Sequence, residues 1–159
     1  MPLLDMAQLS GSTARGKPLL GFDVGTKTIG LAIGDPGWCL ASPLKTISRS
    51  KWPADLAAIA AVIKERGCGG GIIGLPRNMD GSEGPRAQSV RAFAENLLAR
   101  PDLLGADFML AFWDERLSTA AVERALIAED VTRQKRDDII DKMAAAYILQ
   151  GALDKLARG

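Results

Sequence analysis

The sequence predicts an α/β domain built on a mixed five-stranded sheet, an antiparallel meander of three strands plus two parallel strands, with helices on both faces. Three observations carry this. The first third of the chain holds three apolar runs separated by turn residues, with no helical period between them. Two further short apolar runs then alternate with segments of three-four apolar spacing. At 159 residues and 47% apolar composition the chain is long enough for one sizeable core.

Residues 1 to 17 mix Ser10-Gly11-Ser12-Thr13 with Arg15 and Lys17 and show no sustained period. They are expected to form a flexible tail ahead of a domain spanning 18–159. Strands are expected over about 18–24, 28–35 and 38–47, the last two separated by the turn signal Asp35-Pro36-Gly37. Trp52-Pro53 opens a helix to about Arg66, with Leu56, Ile59, Ala60 and Ile63 on one face and Gly67 as its stop. The glycine run 69–71 leads into a short apolar strand ending at Leu75-Pro76, followed by the polar loop 77–84. Pro85 suits the first turn of a helix to about Ala99, with Val90, Phe93, Ala94 and Leu97 inward. A strand over about 107–113 ends in Asp114-Glu115-Arg116. Ser118 or Thr119 caps a helix over roughly 119–128. The basic loop 129–137 precedes a last helix over about 138–155.

Composition excludes whole classes of chemistry. There is no histidine, so neither a Ser-His nor a Cys-His nucleophile exists, nor a histidine general base. The two cysteines, Cys39 and Cys68, have no metal-ligand spacing. Hydrolysis must then rest on carboxylates, lysines, hydroxyls or a hard, oxygen-bound cation such as Mg²⁺ or Mn²⁺. No apolar run approaches the ~20 residues of a spanning helix, and no signal peptide is evident, so no membrane partner is expected and the default compartment is cytoplasmic. Net charge is only +1, but residues 11 to 51 carry six basic side chains against Asp23 and Asp35. That local excess fits a nucleic-acid partner, or simple solubility.

The stretch from Leu19 to Ile33 reads as strand, tight turn, strand, with Asp23 at the end of the first apolar run. A carboxylate embedded in a strand needs a partner: a base, a ring of donors or a metal ion. Asp23 is a candidate first metal ligand; a plain Asp-Gly turn between hairpin strands is the alternative. Glu115 follows the last strand, and Asp141 lies in the first turn of the last helix, at the edge of its apolar stripe. Functional groups collect at the carboxyl ends of strands in such sheets. Three gathered carboxylates would repel, and divalent cations would offset this. Two ions about 4 Å apart activate water and stabilise the leaving oxygen of a phosphodiester. Each acid also has a plainer role: Asp114 or Glu115 paired to Arg116 in a solvated turn, and Asp137, Asp138 or Asp141 at a helix N-terminus. The Asp-x-Gly-Thr hairpin also looks like that of the actin and sugar-kinase group, but those proteins clasp nucleotide between two such domains. This chain has room for one.

Four segments, in order, carry a more specific resemblance: Gly21-Phe22-Asp23-Val24-Gly25-Thr26-Lys27-Thr28-Ile29-Gly30; Ile73-Gly74-Leu75-Pro76 with Met79-Asp80-Gly81-Ser82; Trp113-Asp114-Glu115-Arg116-Leu117-Ser118-Thr119; and Ile140-Asp141-Lys142-Met143-Ala144-Ala145 with Ile148-Leu149-Gln150. Together they resemble the YqgF family, a Holliday-junction-resolvase or pre-16S-rRNA-nuclease family, over about residues 19–155. The resemblance implies an RNase H-like fold, acidic residues around Mg²⁺ or Mn²⁺, and phosphodiester cleavage. Asp23, Glu115 and Asp141 stand at the family's acidic positions and are the expected catalytic residues and metal ligands. Lys27, Thr28, Arg77, Arg133, Lys135 and Arg136 are the expected nucleic-acid contacts. Structured RNA, pre-16S rRNA above all, is the expected substrate, with four-way DNA or metal-free RNA binding as alternatives. A monomer or weak homodimer is expected. Ser118 stands where Thr is common and Phe22 where a smaller aliphatic is common; neither touches the acidic set.

Overall fold

The computed structural model describes residues 3–117 and 133–158. The elements run β1 (Leu3–Leu4), α1 (Met6–Ser10), β2 (Leu19–Val24), β3 (Thr28–Gly34), β4 (Ala41–Ser48), α2 (Trp52–Arg66), β5 (Gly70–Leu75), α3 (Pro85–Leu98), α4 (Pro101–Leu104), β6 (Met109–Asp114), a 3₁₀ turn (Glu115–Leu117) and α5 (Arg133–Arg158). The helix expected over 119–128 and its cap at Ser118 or Thr119 lie outside the described residues.

One sheet orders these strands β1-β6-β5-β2-β3-β4. The hairpin β2–β3–β4 is antiparallel, while β5 and β6 join parallel to β2. The five expected strands are therefore present with the expected directions. The sixth, β1, pairs parallel with β6 through Leu3↔Leu110 and Leu4↔Ala111.

That edge strand corrects the expected flexible tail over residues 1–17. Asp5 caps α1 by accepting the Gln8 N–H at 2.7 Å, and the Gln8 side chain accepts the Asp5 N–H at 3.0 Å. Leu9 and Ala14 are fully buried. The indole of Trp38 donates to the Lys17 carbonyl at 2.8 Å, and the Arg15 guanidinium lies 4.7 Å over its ring. The sequence hid this because α1 has one turn of helix and buries a single leucine, too little to show a period.

Alternation along β2 sends Leu20, Phe22 and Val24 to the face covered by α2 and α3, where they meet Leu56, Ile59, Val90 and Phe93. Leu19, Gly21 and Asp23 point to the other face. There α5 packs Ala145, Ile148, Leu149 and Leu153, and α1 packs Leu9, against Leu19, Ala32 and Trp113. Each fully buried Leu, Ile or Phe contributes about 1.5–3 kcal/mol. The face under α5 is poor in side chains. A Cβ at Gly21 would lie 2.8 Å from Leu149 Cβ, and one at Gly151 would lie 2.9 Å from the Trp113 ring.

Two boundaries differ from expectation. The third strand starts at Ala41 rather than about 38, because the Asp35 carboxylate accepts the N–H groups of Cys39 and Leu40, both at 2.7 Å, and holds the turn. Trp38 takes φ 60° within it. The last helix starts at Arg133, so Arg133, Lys135 and Arg136 belong to α5 and not to a loop. Arg, Gln and Lys are good helix formers, and the run 133–136 lacks the Gly or Pro that would end it.

Candidate functional site

Asp23 is 8% exposed and sits one residue before the end of β2. Its antiparallel partner is Gly30. On the parallel side the last registered pair is Phe22↔Ile73, so Gly74 is the next residue beside it. Both flanking strands thus present glycine next to the carboxylate. At Gly30 an added Cβ would fall 2.0 Å from the Asp141 carbonyl oxygen. The missing side chain is what lets α5 descend at Asp141. At Gly74 an added Cβ would fall 2.7 Å from Glu115 Oε1 and 2.6 Å from Ile148 Cδ1. The Glu115 carboxyl therefore lies over Gly74, on the α5 face, one strand away from Asp23.

Asp23 and Asp141 line one open cleft of about 550 Å³ with Gly25, Thr26, Lys27, Thr28, Arg86 and Ile140. Thr28 Oγ1 donates to Asp141 Oδ2 at 2.5 Å, which ties the start of β3 to α5. The turn between β2 and β3 is closed by Gly25 N–H to the Thr28 carbonyl at 2.9 Å and braced by Arg49 Nη1 to the Gly25 carbonyl at 2.7 Å. Glu115 does not line this cleft. Among the described residues no three acidic or cysteine side chains form a ready metal cage. The donors that do converge are all oxygen, which fits a hard cation and not zinc.

Asp114, beside Glu115, is engaged elsewhere. Arg116 donates to it through Nη2 at 2.6 Å and Nε at 3.1 Å, and Arg77 Nη1 lies 3.6 Å away. The Arg116 hydrogen bond holds the Asp114 carboxyl below its usual range. Glu83 is lowered in the same way by Arg91, whose Nη2 donates at 2.7 Å, with Arg77 3.6 Å off. Asp80 is lowered by the Ser82 hydroxyl, which donates at 2.6 Å. Arg116 Nη1 also reaches the Met79 carbonyl at 3.3 Å. This network fastens the loop 77–84 to the end of β6. Arg77, expected as a nucleic-acid contact, is the hub of that latch, with two carboxylates beside its guanidinium.

Lys27 is exposed at the cleft and Thr28 is half-buried there. Arg133, Lys135 and Arg136 stand at the start of α5, ahead of Asp141 in the same helix. Arg86 was missed by the sequence reading. It lies in the first turn of α3, donates Nη2 to the Val24 carbonyl at 3.1 Å and lines the cleft. Only its position after the 77–84 loop could have flagged it, and that cue is weak.

The mixed sheet, with acids at the carboxyl ends of β2 and β6 and a third on the helix laid across them, defines an RNase H-like α/β protein. Structural comparison agrees: Thermus thermophilus RuvC superposes with TM-score 0.51 at 14% identity, over 88% of this chain and 96% of that one. The same protein in complex with a Holliday junction substrate gives TM-score 0.51 at 11% identity, over 89% and 96%. At those identities the likeness concerns the fold. The family is set by sequence. Residues 17–155 match the model "RuvX: Holliday junction resolvase", and the chain belongs to that family. A Rhodospirillum centenum protein named "Putative pre-16S rRNA nuclease" is 53% identical over 159 residues, covering 100% of this chain and 85% of its own. Proteins of the same name from Roseobacter denitrificans and Jannaschia sp. are 49% and 54% identical, over 98% and 94% of this chain and 94% and 92% of theirs. Among the described residues no helix is long and apolar enough to cross a membrane.

Proposed function

We propose that this protein is a divalent-metal-dependent nuclease that cleaves phosphodiester bonds in structured RNA, acting in the cytoplasm on the 5′ end of precursor 16S rRNA. The observation that carries the reading is the convergence of Asp23 and Asp141 in one cleft, with the Glu115 carboxyl over Gly74 beside it. Full-length relatives of about half identity bear the matching name.

In this reading Asp23, Glu115 and Asp141 hold Mg²⁺ or Mn²⁺. The ion, when bound, supplies an activated water and stabilises the leaving oxygen. Asp23 is presented from the end of β2, between two flanking glycines. Thr28 fixes the orientation of the Asp141 carboxylate through its hydroxyl. Lys27, exposed at the cleft mouth, draws the phosphate in, and Arg133, Lys135 and Arg136 hold the flanking backbone. Arg77 serves the reaction indirectly, by keeping the 77–84 loop docked.

The test is cleavage of a pre-16S fragment with Mg²⁺ or Mn²⁺ by wild type and Asp23→Asn. Loss of about 100-fold or more in rate is expected for a residue that holds the reacting centre together. Equal rates would remove Asp23 from the site. A second reading, resolution of four-way DNA junctions, is favoured by the description of the matching family model. That chemistry requires a dimer with two opposed sites. A monomer in sedimentation that cuts the RNA and leaves the junction intact decides for the first reading.

A further inference from the structure

The cleft with Asp23 and Asp141 does not end at Arg86. A second groove of about 200 Å³ adjoins it at the Gly25–Thr26 turn, lined by Val24, Pro85, Arg86, Ser89 and Val90 besides that turn. Gly25, Thr26 and Arg86 line both hollows. The two form one track, with Arg86 at the join.

We propose that this second groove is a subsite for the nucleotide next to the scissile bond, and that Arg86 grips the phosphate between the two. The inference rests on the nuclease reading and adds to it a register for the substrate strand. Three features support it. First, Arg86 is the arginine that lines the cleft among the described residues. Arg77, Arg91, Arg100 and Arg116 each pair with a carboxylate, while Arg86 makes no salt bridge among the described residues and donates one hydrogen bond, to the Val24 carbonyl. That bond anchors the guanidinium at the end of β2 with one donor and leaves the others of its fork for a phosphate. Second, the groove differs in chemistry from the cleft. Val24, Pro85 and Val90 give it an apolar floor suited to the flat face of a base or a ribose, with the exposed Ser89 hydroxyl at the rim. Third, the two hollows share one turn, since Gly25 and Thr26 line both.

The test separates binding from cleavage. Asp23→Asn is used as the background, and its affinity for a short fluorescein-labelled single strand is read by anisotropy, with RNA and DNA of one sequence as two arms. Arg86→Gln is expected to weaken binding about tenfold and to reduce the salt dependence by about one phosphate contact, with Arg86→Lys recovering most of it. Ser89→Trp, which fills the groove from an exposed position, is expected to weaken binding by a similar factor with the salt dependence unchanged. A deficit for Ser89→Trp in the RNA arm alone assigns the groove to a ribonucleotide; a deficit in both arms assigns it to a nucleotide of either kind. Unchanged affinity in Arg86→Gln and Ser89→Trp, with wild type still cutting RNA, overturns the subsite and leaves the nuclease reading intact. Weakened binding in both variants, with wild type cutting nothing, keeps the track and removes the nuclease. No binding by the background protein in either arm overturns the subsite outright.

Discussion

Thr28 does two things at once: its carbonyl closes the Gly25 turn and its hydroxyl orients Asp141. A neutral donor to a carboxylate contributes about 1–2 kcal/mol net when it is partly buried. Thr28→Val keeps the shape and removes the donor. It should cost about 1 kcal/mol in urea unfolding and about tenfold in single-turnover cleavage, and Thr28→Ser should restore the rate. An unaltered rate in Thr28→Val would mean that the orientation of Asp141 does not matter to the chemistry. That Asp23 would close a buried strand was legible in the sequence because it ends an apolar run; whether it serves a site or only a turn was not. Its neighbours were not: that Gly30 and Gly74 both abut it depends on strand register, which no local pattern states.

At the scale of elements, the position of α5 is set by absent side chains. In Gly30→Ala the new Cβ meets a helix carbonyl at 2.0 Å, and backbone cannot step aside cheaply. The variant should lose about 2 kcal/mol or more of stability and most cleavage, since Asp141 moves with the helix. In Gly74→Ala the obstacles are the ends of the Ile148 and Glu115 side chains. Stability should fall less, while the Glu115 carboxyl is displaced and the rate drops. Unfolding curves and cleavage rates on the same two proteins check this. The 77–84 loop is held by carboxylates, so its docking follows pH. Asp114 titrates below its usual value in the folded state because of the Arg116 hydrogen bond. A lowered folded-state value means the stabilisation is complete above the ordinary carboxylate value and is lost as pH falls through the folded one. Asp114→Asn should therefore melt lower than wild type at neutral pH, and the gap in Tm should narrow progressively as the pH is taken below the ordinary carboxylate value. A gap that is constant with pH would show that the latch is not ionic.

For the whole molecule, the sheet divides the core in two, and the smaller half is completed by the N-terminal segment. Leu9 is fully buried among the α5 residues. Leu9→Ala should cost about 2–5 kcal/mol in urea unfolding, where a mobile tail would cost nothing. What the sequence by itself determined was the order and type of the long elements. α2 and α3 carry the expected apolar faces, the meander and the two parallel strands follow, and the absence of histidine confines any hydrolysis to carboxylates, lysines, hydroxyls or an oxygen-bound cation. Periodicity and composition are local properties, so one chain is enough to read them. Only the tertiary structure decided that residues 3–17 close the sheet edge, that Arg77 is tied down while Arg86 faces the cleft, and that Asp141 reaches Thr28. Those outcomes depend on how closely two distant segments approach, and that distance is fixed by the size of the side chains between them.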